Sequence, residues 1–219
     1  MLARRPEPEL MDAPDQASAY AGADFEAAHG AIVDALAERL PDFPASGHVL
    51  DLGCGPGDIA VRVARRYPGV AVDGVDGAEA MLAPGRERLR REGLAERVGL
   101  HRALLPRDPL PRVRYDAVVS NSLLHHLHDP MVLWQAVATA LAPGAPVFVA
   151  DLARPVDAAT VDALVAAMAT EPAVLQHDFR ASLHAAFTPD EVRTQLIEAG
   201  LGLSVEMLDD HHLIAWGHR

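Results

Sequence analysis

Short apolar runs that alternate with amphipathic stretches constrain the fold of this chain more than any other feature. Each run has the length of a buried strand, and the runs lie at 49–52, 70–75, 98–101, 117–120 and 146–151. Amphipathic stretches between them predict helices at about 58–67, 78–91 and 130–141. This alternation is typical of βαβ units. It therefore predicts an α/β fold, a doubly wound and mostly parallel sheet with helices on both faces.

The two ends of the chain depart from this alternation. Residues 1–23 are rich in proline, acid and alanine and predict an extended or irregular arm, after which Asp24 is expected to cap a helix. At the other end, apolar runs at 203–207 and 213–216 predict an antiparallel C-terminal hairpin that completes a seven-stranded sheet.

A provisional division of the chain follows from this pattern. Residues 1–46 form an N-terminal arm and helix that cover the site, and residues 47–219 form the main domain. The segment 154–187 fits no sheet position, so we interpret it as a lid.

Composition excludes several classes of protein. The net charge of −12 weighs against a nucleic-acid partner. No apolar run is long enough for a membrane span, and the N-terminus lacks the apolar core of a secretory signal. The single cysteine rules out an internal disulfide and fits a cytoplasmic protein. Both a monomer and a homodimer are compatible with these features.

The stretch VLDLGCGPG follows the first predicted strand and indicates a ligand that approaches the backbone closely. Glycine at 53, 55 and 57 does not have the G-x-G-x-x-G spacing of a dinucleotide fingerprint. Asp51 lies directly before the turn, where its carboxylate would repel a pyrophosphate and attract an amino group. Asp76 ends the second predicted strand, where a carboxylate can accept hydrogen bonds from both hydroxyls of a ribose. An amino-acid end and a ribose together describe S-adenosylmethionine.

The sequence resembles a class I S-adenosylmethionine-dependent methyltransferase of the methyltransferase-11/25 type. The resemblance rests on VLDLGCGPG, VDGVDGAEAML, YDAVVSNSLLHHLHDP and LAPGAPVFVADLARP, which occur in that order. It implies that S-adenosyl-L-methionine is the cofactor and S-adenosyl-L-homocysteine the product. The cofactor-binding residues that it implies are Tyr20, Asp51, Gly53, Cys54, Gly55, Gly57, Asp76, Gly77, Met81, Ala103, Leu104 and Asn121.

One position departs from the family pattern. Many relatives carry an acid that binds the adenine amino group where this chain has Arg102. Recognition of adenine is therefore expected to fall to backbone groups of Ala103 and Leu104. The thiol of Cys54 is expected to pack within the glycine turn rather than to react.

Histidines directly after the fourth predicted strand are the candidate catalytic residues. His126 is the first candidate for a base that takes a proton from the methyl acceptor, and His125 is the second. Local packing is the alternative role, and adjacent positions on a helix are not expected to face one pocket together. No metal site is expected, because no carboxylate or cysteine with ligand spacing accompanies these histidines. His211 and His212 are expected at the surface or sheet edge.

Selection of the acceptor is expected to come from the arm and the lid. The candidate substrate-binding residues are Phe25, His177, Phe179, Arg180 and His184. The predicted function is methyl transfer by in-line displacement to an oxygen, nitrogen or sulfur atom of a small-molecule acceptor. The alternatives are methylation of RNA or protein, and a non-catalytic module that binds S-adenosylmethionine to regulate a partner.

Overall fold

Seven strands and eight α-helices make up the computed structural model, which describes residues 2–219 apart from the side chain of Asp15. The strands are β1 Ser46–Leu52, β2 Gly69–Asp76, β3 Val98–Arg102, β4 Ala117–Asn121, β5 Pro146–Leu152, β6 Ser204–Met207 and β7 His212–His218. The helices are α1 Pro14–Gly22, α2 Glu26–Arg39, α3 Asp58–Arg66, α4 Glu79–Arg91, α5 Met131–Ala140, α6 Ala158–Ala167, α7 Ala173–Ala185 and α8 Pro189–Ala199. A 3-10 helix, Leu124–His126, follows β4.

The strands form one sheet in the order β3-β2-β1-β4-β5-β7-β6. Strands β1 to β5 pair in parallel, and β7 pairs antiparallel with both β5 and β6. The strand order reverses between β1 and β4, and open α/β sheets place ligands at such a point, beyond the carboxyl ends of the strands. The predicted doubly wound sheet with a C-terminal hairpin is confirmed.

Alternating side chains of the strands build an apolar core on each face of the sheet. In β1, Val49 packs into the core under α2, α3 and α4, whereas Leu50 and Leu52 pack into the core under α5 and α8. On the second face, the indole N–H of buried Trp134 donates to Oε1 of Gln195 at 2.9 Å and links those two helices. The sheet is therefore covered on both sides, which leaves its carboxyl-end edge for a site.

The expectation of an irregular arm over residues 1–23 is wrong for its second half, which forms α1. Pro14 lies at the start of this helix, a position where proline is favoured. Ala17 packs with Ala78 and Met81 against α4. A helix of nine residues gains its stability from this kind of packing, which the local sequence does not show.

The segment 154–187 contains α6 and α7, which pack on each other through a small apolar cluster of Val161, Val165 and Leu183 beside Leu152. The N-terminal arm runs along this unit, since Leu2 N donates to Val156 O and Arg5 N to His184 O. The arm and the two helices thus lie together over the carboxyl ends of the strands. Among residues 2–219, no helix has both the length and the apolar character that a membrane span requires.

Candidate active site

A cavity of about 570 Å³ lies beyond the carboxyl ends of β1, β2, β4 and β5, within the size range of small-molecule sites. Most of the predicted site residues line it. They are Tyr20, Phe25, Asp51, Gly53, Cys54, Gly55, Asp76, Gly77, Met81, Ala103, Leu104, Asn121, His125, His126 and Phe179. Strand ends and the turns that follow them carry most of this set, as expected for a parallel sheet.

Four predicted residues do not line the cavity. Gly57, at φ +79°, precedes α3 and packs against Leu100. His177 is exposed, Arg180 pairs with Asp162 of α6 at 2.6 Å, and the carbonyl of His184 accepts from Arg5.

The orientation of α7 explains why His177, Arg180 and His184 do not line the cavity. Leu175, Asp178, Phe179 and Ser182 line the cavity, at the i, i+3, i+4, i+7 spacing of one helical face. Positions 177, 180 and 184 therefore lie on its other sides.

Asp51 is the most unusual group of the cavity. It is 1% exposed, and neither carboxylate oxygen has a hydrogen-bond partner among the described residues. Burial, with the nearby charge of Asp76, raises the pKa of Asp51 to about 8. Oδ1 of Asn121, at the end of the neighbouring strand β4, is likewise buried without a partner. A ligand that carries an ammonium group would satisfy these oxygens, which fits the amino-acid end of S-adenosylmethionine.

Asp76 and the glycine turn form a rigid cradle beside Asp51. The carboxylate of Asp76 accepts from Gly55 N at 2.9 Å and from Ala78 N at 2.8 Å, and burial raises its pKa. Gly53 has φ +71°, and a Cβ there would lie 2.6 Å from Cβ of Leu123. Cys54 is buried, and burial raises the pKa of its thiol well above the ordinary value, so the thiol stays protonated.

Backbone donors at the predicted adenine contact are already engaged within the protein. Ala103 N donates to Asp76 O at 2.9 Å, and Leu104 N donates to Oδ2 of Asp108 at 2.9 Å. Arg102 is exposed at the end of β3. The cavity wall here therefore offers a mainly apolar surface, to which Leu10 and Met11 of the arm also contribute.

Both histidines of the 3-10 helix line the cavity, which corrects the expectation that only one of them could. Their ring centroids are 4.3 Å apart and the planes are tilted by 35°. They are the last two residues of the three-residue 3-10 helix, which ends at His126. Nδ1 of His125 is hydrogen-bonded to Oδ1 of Asp151 at 2.6 Å, and Leu124 N donates to the other oxygen of Asp151 at 2.7 Å.

Neighbouring charges move the pKa values of the two histidines in opposite directions. Burial opposes the charged form of His125, but the charge and hydrogen bond of Asp151, with Glu7, outweigh it and raise the pKa. Burial, reinforced by the charge of His125, lowers the pKa of His126 to about 3. His126 is therefore neutral near pH 7, and it is a weaker base than the sequence analysis assumed.

Several site residues have no recognisable signal in the sequence. Glu7 of the arm lies 3.5 Å from Nε2 of His125 and accepts from Oγ of Ser182 at 3.0 Å. His211 and His212, expected at the surface, line the cavity at the start of β7. Asp151 could have been found, because it lies near the carboxyl end of β5, next to Asn121 of β4.

A family model described as a methyltransferase domain matches residues 49–144. The trans-aconitate 2-methyltransferase of Variovorax paradoxus is 38% identical over 111 residues, which are 50% of this chain and 39% of that protein. The release factor glutamine methyltransferase of Gloeobacter violaceus is 44% identical over 91 residues, 40% of this chain and 32% of that protein. The chain thus spans less than half the length of these curated relatives.

Solved methyltransferase structures share the fold over nearly the whole chain. An S-adenosylmethionine-dependent methyltransferase from Aquifex aeolicus has a TM-score of 0.66 at 17% identity and covers 94% of this chain and 98% of its own. The plantazolicin methyltransferase BpumL, solved with S-adenosylhomocysteine, has a TM-score of 0.73 at 14% identity, with 94% and 90% covered. The matched family model and the curated methyltransferase relatives support a class I S-adenosylmethionine-dependent methyltransferase domain at residues 49–144, and these solved structures show that the chain has the fold of such enzymes.

Proposed function

We propose that this chain transfers the methyl group of S-adenosylmethionine to a small-molecule acceptor. One observation carries the proposal: a buried carboxylate without a partner, Asp51, lies beside the cradle of Asp76 and the glycine turn in a single cavity. An ammonium group and a ribose are the chemical groups that this pair suits. When bound, S-adenosylmethionine supplies a methyl group made electrophilic by its sulfonium sulfur.

The donor would be held at the end of the cavity formed by β1, β2 and β4. Asp51 and Asn121 would bind its amino-acid part, and Asp76 its ribose hydroxyls. The backbone of the turn at Gly53, Cys54 and Gly55 would approach it closely, because the two glycines carry no side chain and the thiol of Cys54 is buried. Tyr20, Gly77, Met81, Ala103 and Leu104 would cover the adenosine.

The acceptor would lie at the opposite end, against the 3-10 helix and α7. His125 is oriented by Asp151 through Nδ1, so Nε2 is the atom that can take a proton from an acceptor when no other ligand holds it. Nδ1 of His126 is buried without a hydrogen-bond partner among the described residues, 3.4 Å from Oε1 of Glu7. Phe25 and Phe179 would supply apolar contacts to the acceptor.

The arm and the 154–187 segment would select the acceptor. They form the part of the cavity wall that lies outside the common sheet, through Glu9, Leu10, Leu164, Leu175 and Ser182 among others. This cover favours an acceptor that fits within the cavity over a macromolecule. A small acceptor also agrees with the name of the trans-aconitate 2-methyltransferase relatives. We therefore assign acceptor selection to residues 154–187 and part of 1–46, with Tyr20 of the same N-terminal segment on the donor, and the common sheet to the binding of the donor.

Transfer of labelled methyl groups tests this function. The purified chain is incubated with S-adenosylmethionine labelled at the methyl group and pools of small carboxylic acids, phenols and amines, and separately with peptides and RNA. Label is expected in the small-molecule fraction, and Asp76→Ala should abolish it while the surface control Asp34→Asn should not. Label only in a macromolecular fraction would overturn the small-molecule acceptor. Tight donor binding without transfer to any pool would instead support a non-catalytic module.

A further inference from the structure

Three side chains from two distant segments meet beside the cavity, at the 3-10 helix, and two of them, His125 and His126, line it. Oε1 of Glu7 lies 3.5 Å from Nε2 of His125 and 3.4 Å from Nδ1 of His126, and all three ligand atoms lie within 4.8 Å of one another. Their side chains are nearly buried, with exposures of 10%, 3% and 12% in the order Glu7, His125, His126. The sequence around the two histidines does not predict this cluster. Glu7 lies far away in the N-terminal arm and reaches them only in the folded chain.

The separations in this cluster suit metal ligands better than hydrogen bonds. A nitrogen–oxygen hydrogen bond has a length of about 2.9 Å, so neither contact of Glu7 with a histidine is a good one. Zinc binds histidine nitrogen and carboxylate oxygen at about 2.1 Å, which places neighbouring ligands of a tetrahedral site about 3.4 Å apart. Both distances from Glu7 match that value, and the two histidine nitrogens lie within 4.8 Å of each other. Nδ1 of His126, buried and without a partner among residues 2–219, therefore has a role in the cluster.

Hydrogen bonds outside the cluster hold two of the three side chains in the orientation that a metal requires. Asp151 accepts from Nδ1 of His125 at 2.6 Å, which leaves the Nε2 lone pair directed at the cluster. A carboxylate behind a ligating histidine is the usual arrangement in metal sites. Oγ of Ser182, on α7, donates to Oε1 of Glu7 at 3.0 Å.

Charged side chains and the open cavity both lie beside the cluster. Two nearly buried carboxylates, Glu7 and Asp151, face two imidazoles, and the Arg4 guanidinium, which donates to the carbonyls of His125 and Leu127, offsets part of their negative charge. His125 and His126 also line the cavity, so a metal held by three protein ligands would keep an open position toward it. Two histidines and one carboxylate with an open position form the ligand set of catalytic zinc sites and of non-haem iron(II) sites.

We propose that Glu7, His125 and His126 bind a divalent transition-metal ion of the zinc or iron(II) type. The open position would take an oxygen, nitrogen or sulfur atom of the methyl acceptor and hold it toward the donor end. This last role rests on the proposed function, whereas the metal site itself does not. The arm would then be part of the active site as well as its cover.

Titration of the metal-free protein with Zn²⁺ by calorimetry, without methyl donor, tests the site. One ion per chain is expected. Glu7→Gln and His126→Gln should each weaken binding at least about 100-fold, and Asp151→Asn should weaken it about 10- to 100-fold, as the loss of an orienting partner does. Cobalt(II) gives a second readout, because wild-type protein should show visible d–d absorption that Glu7→Gln lacks. Glu7→Gln keeps an acceptor for Ser182, and circular dichroism will show that it folds.

Two controls separate this site from others. Asp34→Asn changes an exposed acid of α2, 3.6 Å from Arg66, and should leave Zn²⁺ binding unchanged. Asp209→Asn changes the second cluster of Asp209, His211 and His212, and should also leave it unchanged. Absence of Zn²⁺ binding, binding retained in Glu7→Gln, or binding lost in Asp209→Asn would overturn the proposal. Binding of S-adenosylhomocysteine by the same sample, measured separately, keeps this outcome distinct from failure of the proposed function.

Discussion

The two ends of the cavity are built in different ways. The proposed donor end would use Asp51, Asp76 and Asn121, each at or near the carboxyl end of a parallel strand, with the turns beside them. The proposed acceptor end would join Glu7 of the arm, the 3-10 helix after β4 and Ser182 of α7. Any sheet with this strand order brings the carboxyl ends of β1, β2 and β4 together. The acceptor end depends on how this particular arm and these added helices pack.

The two ends also differ in how their polar groups are satisfied. Asp51 and Asn121 have buried oxygens without partners among the described residues. Burying such atoms is energetically unfavourable, so a ligand that hydrogen-bonds to them would stabilise the donor end. At the acceptor end, Asp151 accepts from Leu124 N and pairs with His125, and Glu7 accepts from Ser182, whereas Nδ1 of His126 lacks a partner among the described residues. We infer that the donor end is prepared for a cation, and the acceptor end for a separate ligand.

The largest expected effect is at the glycine turn of the donor end. Gly53→Ala should weaken S-adenosylhomocysteine binding at least about 100-fold and lower stability by about 3 kcal/mol, because its Cβ would meet Leu123 at 2.6 Å in a left-handed backbone. Gly93→Ala is the matched control, since Gly93 has φ +69° but no atom within 4 Å of its Cβ position. Gly93→Ala should lower stability by only about 1 kcal/mol and leave the binding of S-adenosylhomocysteine unchanged. Calorimetry and thermal unfolding measure both effects, and equal behaviour of the two variants would contradict this role of the turn.

The next effect should be confined to the acceptor end. Glu7→Gln should lower the rate of methyl transfer at least about 10-fold, because it removes the charge that faces His125 and His126. Affinity for S-adenosylhomocysteine should change less than about twofold, since Glu7 does not line the cavity at the donor end. Asp34→Asn, at an exposed acid of α2, serves as the control for the loss of one negative charge. A loss of donor affinity in Glu7→Gln would show that the two ends are not separate.

A smaller effect concerns stability, and it has a defined dependence on pH. The pKa of Asp51 is about 8 in the folded chain and about 3.8 in an unfolded one. The folded state therefore binds more protons between these values, and stability falls as pH rises through that range. Asp51→Asn should unfold at the same temperature as wild type near pH 4 and about 5 °C higher near pH 8. A difference independent of pH would contradict the buried, unpartnered state of this carboxylate.

The smallest effect is expected on the outer side of α7. Arg180, a predicted substrate contact, pairs with Asp162 at 2.6 Å with 42% of its side chain exposed. Exposed ion pairs contribute little to the free energy of unfolding, so Arg180→Ala should change the melting temperature by less than about 2 °C. Methyl transfer should also stay within about twofold of wild type. A large loss of transfer would mean that the lid rotates this face toward the acceptor.

These contrasts show which parts of the molecule can be predicted from sequence. The strands and Asp51, Asp76 and Asn121 could be predicted, because apolar runs define strands and parallel strand ends converge. Helix α1 could not, since packing of Ala17 rather than local pattern stabilises it. The helical periodicity of α7 predicts that one face points inward. It does not predict that Phe179, rather than Arg180, lies on that face. Glu7 had no signal, because tertiary packing of the arm brings it to the histidines.

The most direct test of the separation of donor and acceptor ends is calorimetric titration of S-adenosylhomocysteine into three proteins: wild type, Asp76→Ala and Glu7→Gln. The cradle at Asp76 predicts micromolar binding by wild type, at least about 100-fold weaker binding by Asp76→Ala, and unchanged binding by Glu7→Gln. No binding by the wild type would contradict the donor site itself. Equal losses in both variants would contradict the division of the cavity into two ends.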